Sequence, residues 1–190
     1  MFIPKRKPNR EPHDIYAGRY EKKPNKEKVL FLRKDQILGD IDAQIEIVAS
    51  THTKDDGTPL PVFENVMEKY KHSLNGWINK YLDIAKQRMA AYIVVPEQKA
   101  SFNAQRDWEE KEIHLSFPWY WDETTFDALS RAVADFIVNS VLFEFFSLTI
   151  TSKDPITIDK QGFAEEASAN IKHYCVASIP GTMKKKLHPY

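Results

Sequence analysis

The sequence predicts a mainly α-helical bundle of about four helices, with a small β-hairpin insertion and extended termini. Apolar residues recur at three- and four-residue spacing over long stretches, which is the period of an amphipathic helix. The run Phe126–Ile150 is apolar on nearly every side, as expected of a helix that other elements enclose. A short stretch, Ile113–Phe117, alternates apolar and polar residues with the period of a half-buried strand.

Residues 1–34 differ from the rest of the chain in charge and composition. The 190-residue chain balances 27 basic against 27 acidic residues, but this segment holds eleven basic and four acidic ones. Its net charge of +7 leaves the remainder near −7. Four prolines and few aliphatics before Val29 predict an extended arm that does not fold alone. Aromatic side chains interrupt the charge, so we expect the arm to dock on something acidic: nucleic acid, another protein or this chain's own body.

The predicted bundle domain spans residues 35–178 and is followed by a basic tail at 179–190. The second of its helices would be one rod of about 45 Å at roughly 1.5 Å per residue, a length that suits bundles and rings. We place Asp154 and Pro155 in the connector before the last helix, and Phe163 in that helix's apolar stripe. The predicted helices cover residues 35–50, 62–92, about 122–147 and about 159–178.

An insertion at about 93–121 interrupts the helical pattern. The period-two stretch predicts a small hairpin made from about 92–95 and 112–117. The cluster Phe117–Trp121 follows it, and Pro118 prevents that segment from being helical. We expect these aromatic side chains to close one end of the bundle.

Residue types that carry catalysis or bind metals are present but poorly spaced. Glu64, Glu68 and His72 are one turn apart, yet a di-iron bundle needs Glu-x-x-His pairs in two copies. Cys175 and His173 diverge by about 200° on a helix and cannot form a nucleophile pair. The six glycines assemble no phosphate-binding loop. From the sequence we therefore predict no catalytic, cofactor-binding or metal-binding residue. We also predict that the protein is not an enzyme.

The run Phe126–Ile150 also has the length of a transmembrane helix. Four charged residues within it argue against a membrane span, because each costs roughly 2.5–3.5 kcal/mol near hydrocarbon. We therefore expect a soluble chain with no membrane partner. The charged residues are Asp127, Arg131, Asp135 and Glu144.

Residues 128–190 carry a likeness to a known family. They comprise the apolar helix ALSRAVADFIVNSVLFEFFSLTITSKDP with a short acidic connector, the helix FAEEASANIKHYCVASIPG and the basic tail MKKKLHPY. This order of parts resembles the head–tail connector proteins of tailed bacteriophages, and most of all the neck ring proteins of crAss-like phages. The insertion departs from the family pattern and would serve as a lateral or axial contact.

The resemblance implies a non-catalytic subunit of a homo-oligomeric ring of about a dozen copies. Such a ring joins the portal to adjacent neck or tail proteins and extends the DNA channel, through which DNA passes without sequence-specific binding. Its location would be the virion, assembled in the host cytoplasm. Ring neighbours would cover an apolar helix that a lone copy cannot shelter.

Two groups of residues are expected to make these contacts. The partner-binding residues in the arm and tail are Phe2, Ile3, Arg6, Tyr16, Tyr20, Lys184, Lys185, Lys186 and Tyr190. The oligomer interface is expected to consist of Trp119, Trp121, Phe143, Phe145 and Phe146. Two alternatives stay open: a nucleic-acid-binding or packaging accessory protein that uses the basic arm, and a soluble helical-bundle enzyme.

Overall fold

The computed structural model describes residues 24–53, 60–94, 108–150 and 152–177. Helices make up 69% of it, beside a small antiparallel pair of strands, which confirms the mainly α class. The elements in chain order are β1 (Lys26–Arg33), α1 (Lys34–Thr51), α2 (Val66–Lys69), α3 (Lys71–Arg88), β2 (Glu110–Phe117), α4 (Phe126–Thr149) and α5 (Pro155–Val176).

Helix α4 is the centre of the molecule. It contacts α1, α3, α5 and β1, and eleven of its side chains are buried. The expectation that one copy cannot shelter this helix is therefore wrong, because α1, α3 and α5 surround it within a single chain. Residues Glu123–Thr149 are long and apolar enough to cross a membrane by length and composition, but 56% of the apolar window is buried inside the fold. A core helix passes the same test.

The predicted continuous rod over residues 62–92 is wrong. A 3₁₀ turn at Pro61–Phe63 is followed by Asn65 in the left-handed conformation, at φ 52° and ψ 42°. Asparagine tolerates that region better than most residues, so the chain bends there. The bend lets Phe63 and Tyr70 both pack on Phe145, at ring-centroid distances of 6.4 and 5.3 Å. Helix α3 retains 18 residues, about 27 Å at roughly 1.5 Å per residue.

The predicted pairing of segment 92–95 with β2 is confirmed in part, because the Val94 amide donates to the His114 carbonyl oxygen and the Ser116 amide donates to the Tyr92 carbonyl oxygen, at 2.9 and 2.7 Å. The main partner of β2 is nevertheless a different segment. Strand β1 pairs with β2 from Lys26↔Phe117 to Arg33↔Glu110, whereas Ile93↔Leu115 is an isolated bridge. The physical reason is that Leu30 and Leu32 of β1 alternate into the core and are buried. Part of the predicted arm is thus a strand of the folded body.

Helix α5 begins earlier than predicted. The Asp154 carboxylate accepts a hydrogen bond from the Ile156 amide at 2.9 Å, and Pro155 occupies the first helical position. An acidic cap followed by proline is a helix start, so the predicted connector was in fact the beginning of α5. Phe163 is exposed rather than in the buried stripe. The side chains that α5 buries are Thr157, Ala164, Ala167, Ser168, Ile171 and Cys175.

Three helical glycines offer a test of this packing. Gly39, Gly76 and Gly162 lie inside α1, α3 and α5, and a Cβ added at each would meet nothing within 4 Å. We expect each glycine-to-alanine substitution to raise the free energy of unfolding by about 0.5–1 kcal/mol, because alanine loses less backbone entropy in a helix. Urea unfolding followed by circular dichroism measures this. Destabilisation by any of the three would contradict the helix assignment at that position.

Candidate interaction surfaces

The aromatic cluster after β2 divides into buried and exposed halves. Phe117 and Trp121 stack at a centroid distance of 3.8 Å and are both buried. The Trp121 indole Nε1–H donates to the Tyr174 carbonyl oxygen at 2.8 Å, which fixes the cluster against the last turn of α5. Trp119 and Tyr120 point outward, with Trp119 41% exposed. The cluster therefore covers the core on one side and presents two rings on the other.

The first and last residues that the structure describes lie close to this aromatic cluster. Lys26, at the start of β1, donates from Nζ to the Trp121 carbonyl oxygen at 2.8 Å. The Asp122 amide donates to the carbonyl oxygen of Ala177, just after α5, at 3.2 Å. The N-terminal segment 1–23 and the C-terminal segment 178–190 are therefore joined to the fold near this cluster. Val176, beside it, is 62% exposed. We call the surface formed by Trp119, Tyr120 and Val176 the aromatic end.

A second group of exposed apolar side chains lies at the opposite end of α4 and α5. The ends of α1 and α4 meet the start of α5 there, and His52 Nε2 lies 3.6 Å from an Asp154 carboxylate oxygen. Ile47, Leu148 and Ile158 belong to the last or first turns of these helices and are all more than half exposed. We call these three residues the aliphatic end. Burying such side chains would be favourable in a protein interface.

A groove of about 1090 Å³ opens beside the first turns of α1 and α3. Five carboxylates and three basic side chains line it, together with an apolar floor, and Arg33 already pairs with Asp35 and Glu110. The carboxylates of Asp42, Glu68 and Glu109 make no ion pair with any residue of the described ranges. We call this the acidic groove. Its lining is Arg33, Lys34, Asp35, Leu38, Gly39, Asp42, Met67, Glu68, Lys71, Leu74, Asn75, Trp108, Glu109 and Glu110.

One charged residue of α4, the half-buried Glu144, has its partners on α3. Glu144 accepts hydrogen bonds from the Lys80 ammonium group and from the Tyr81 hydroxyl, the latter at 2.8 Å. The hydrogen bond from Lys80 lowers the pKa of Glu144. The pKa of Tyr81 is raised, first by burial and then by Glu144. This trio fastens α3 to α4 and explains how an apolar core helix accommodates a carboxylate.

The structure corrects three of the five predicted interface residues. Trp121, Phe145 and Phe146 are 0–1% exposed, so they are core residues of one chain and cannot reach a second copy. The physical reason is that other parts of the same chain cover them: Phe63 and Tyr70 pack on Phe145, and Trp121 stacks on Phe117 against the end of α5. Trp119 is exposed and Phe143 is partly exposed, so both remain accessible. The nine predicted partner-binding residues of the arm and tail lie outside the described residues.

Cys175 lies in the core as an unpaired thiol. Burial raises its pKa to about 11, so the thiol is protonated near neutral pH. His173 is exposed on another face of α5. Within the four described ranges, no three His, Cys, Asp or Glu side chains are grouped so as to hold a metal ion.

Comparison with known proteins places the chain in no family: no family model, curated protein or solved structure matches it.

Sequence reasoning missed the aliphatic end and the acidic groove. Ile47 lies between Glu46 and the buried Val48, outside the set of apolar residues that α1 turns to the core, so a search for apolar stripes passes over it. The groove carboxylates come from α1, α2 and the start of β2, and no sequence pattern joins these distant segments. One signal was present: Leu148 and Ile158 flank a helix-to-helix turn, where a single chain has little to cover them with.

Because Phe145 lies in the core and Trp119 is exposed, truncating these two side chains should change the free energy of unfolding by very different amounts. Phe145→Ala should lower the free energy of unfolding by about 3–5 kcal/mol, because it leaves a cavity between Phe63, Tyr70 and Phe146. Trp119→Ala should lower it by less than about 1 kcal/mol. Chemical denaturation of the two variants measures both values. Equal losses would show that Trp119 is also part of the core.

The Glu144 trio predicts a pH-dependent contribution to stability. Because the folded-state pKa lies below the ordinary value of 4.5, this contribution is present above that value and is lost as pH falls through the folded-state pKa. Glu144→Gln should therefore be less stable than the parent by about 1 kcal/mol at pH 7. The difference should shrink below about pH 4.5. Urea unfolding at pH 7, 5 and 3.5 measures it, and a difference that does not change with pH contradicts the pairing.

Proposed function

We propose that this chain is a non-enzymatic connector subunit that binds protein partners through its two ends. In its specific form, the proposal is a ring subunit in the neck of a tailed phage, joining portal to tail around the DNA channel. The observation that carries it is the placement of exposed apolar side chains at opposite ends of the same helices. A subunit with two separate apolar docking surfaces can stand between two partners.

The aromatic end has the chemistry of a protein interface. Tryptophan and tyrosine are enriched at interface centres because they bury much area for little lost freedom. Trp119 and Tyr120 contact each other edge-to-face at 5.7 Å, which holds both rings in place outside the core. The chain continues from Ala177 into the basic tail beside these rings, so the charges of the tail would add to an apolar contact there.

Because its own chain encloses α4, the apolar character of this helix no longer supports assembly into a ring. The apolar helix by itself no longer requires neighbours, because its own chain covers it. Support for assembly now rests on the two ends, and on the resemblance of residues 128–190 to neck ring proteins. Trp119 and Phe143 are the members of the expected interface that a neighbouring copy could still reach.

Nucleic-acid binding by the arm is a weaker proposal. Lys26 and Lys28 of the basic segment are already paired with Glu123, at 3.1 and 2.8 Å. These pairs lower the pKa of Glu123, chiefly through Lys28. Part of the positive charge is therefore directed at the chain's own body. Fewer cations remain to neutralise phosphates, and each lost phosphate contact weakens binding.

Sedimentation of the full chain tests the connector proposal. We expect self-association into a closed ring between about 1 μM and about 1 mM, the range of moderate interfaces. Trp119→Glu combined with Val176→Glu should weaken assembly at least about tenfold, because charge would be buried in the contact. Phe163→Glu is the matched control, since this exposed aromatic residue of α5 belongs to neither end.

Two results would count against the proposal. One is a chain that stays monomeric over the whole range and by negative-stain microscopy. The other is an assembly that Phe163→Glu weakens as much as the aromatic-end variant does. Retardation of generic DNA at about 50 mM salt that is lost by about 200 mM would favour the nucleic-acid alternative instead.

A further inference from the structure

We propose that the acidic groove binds the N-terminal arm of this chain, residues 1–23, with the basic stretch Lys5–Lys7 on the carboxylates of Asp42, Glu68 and Glu109. The inference is independent of the connector proposal, because it requires neither a ring nor a phage partner. It assigns a binding surface on the folded body and one occupant for it.

Charge is the first argument. Among the groove side chains, carboxylates outnumber basic groups by five to three. Arg33 is engaged by Asp35 and Glu110, which leaves three carboxylates without an ion pair in the part of the chain that the structure describes. Residues 1–10 hold four basic side chains and no acidic one. Charge complementarity of this kind selects a partner and its register.

The apolar surface is the second argument. Leu38 and Met67 line the groove as half-buried side chains, and Trp108 and Leu74 form its floor. Trp108 is held by a hydrogen bond from Nε1 to the Asn79 side-chain oxygen at 2.7 Å. A purely polar occupant would leave these apolar side chains exposed to water. The arm carries apolar side chains between its charges, and Phe2 and Ile3 directly precede the basic stretch.

The length of the arm is the third argument. The arm attaches at the Lys26 end of β1, and the groove begins at the Arg33 end. Eight strand residues span about 26 Å at roughly 3.3 Å each. The 17 residue-to-residue steps from position 7 to Pro24 reach up to about 56 Å when extended. The arm is therefore long enough to reach the groove of its own copy, and a neighbouring copy is equally accessible.

Zero-length carbodiimide cross-linking of the full chain tests this assignment. It joins a lysine to a carboxylate only when the two are in contact. We expect Lys5 and Lys7 to join Asp42, Glu68 or Glu109 at least about tenfold more often than Asp159 or Glu166 of α5, because a bound segment has a high effective concentration at its site. Yields should fall between about 50 and 500 mM salt, as screening shortens the reach of the charges. Mixing ¹⁵N-labelled and unlabelled chains assigns each link to one copy or two, and either supports the proposal.

Two variants separate groove binding from general attraction. Arg6→Ala with Arg10→Ala removes charge but leaves every cross-linkable side chain in place, and should lower the groove links several-fold. Gly39→Trp should block the groove, since the space beyond this position is open. Gly162→Trp on α5, where the space is equally open, is the control and should leave the links unchanged. If Gly39→Trp does not fold, as judged by circular dichroism, the variant with Arg6→Ala and Arg10→Ala still tests whether the arm binds the groove.

Three outcomes would overturn the proposal. The first is even cross-linking of Lys5 and Lys7 to groove and α5 carboxylates. The second is occupation by another segment, seen as links from the groove to Lys99 or to Lys184–Lys186 in place of the arm. The third is a yield that neither the arginine variant nor Gly39→Trp changes.

Discussion

The enclosure of α4 is the constraint on which the rest of the structure depends. A helix with apolar residues on all sides has to bury each side against something, and here α1, α3 and α5 do so within one chain. The bend at Asn65 is part of this solution, because it lies between Phe63 and Tyr70, which both pack on the ring of Phe145. Small residues on α5, such as Ala164 and Ala167, let that helix approach closely.

The polar contacts follow from the same arrangement. Glu144 would be a costly carboxylate in an apolar helix, but the packing of α3 brings Lys80 and Tyr81 to it. Lys26 and Lys28 of β1 likewise meet Glu123 ahead of α4. These pairs connect neighbouring elements, and they explain why charges that look misplaced along the chain are compatible with a packed core.

The exposed surfaces are what remains once α4 is covered. Ile47, Leu148 and Ile158 lie where α1 and α4 end and α5 begins, while Trp119, Tyr120 and Val176 lie beside the start of α4 and the end of α5. No further helix of the described chain covers these side chains. That geometry produces the aromatic and aliphatic ends. The acidic groove arises differently, because it lies where the first half of α1, the short α2, the first turn of α3 and the start of β2 come together. The proposed connector role and the proposed docking of the arm use these separate surfaces.

Much of the helical content could be predicted from local patterns. The stripe Ile37, Ile41, Ile45 and Val48 marks α1 correctly, because helical spacing of apolar residues is a local property. The partner of β2 could not be predicted in this way, since Leu30 and Ile113 are far apart in sequence and meet only across the folded core. Phe145 and Phe146 were assigned to an interface because apolarity alone does not say which surface covers a side chain.

The sequence by itself determined the mainly α class, the need for residues 126–149 to be enclosed and the uneven distribution of charge, since composition and period are written along the chain. Only the tertiary structure decided that one copy encloses its apolar helix, that β1 comes from the basic segment, and that Asp42, Glu68 and Glu109 share one groove. Those outcomes depend on contacts between distant residues, whose free energies no local pattern encodes.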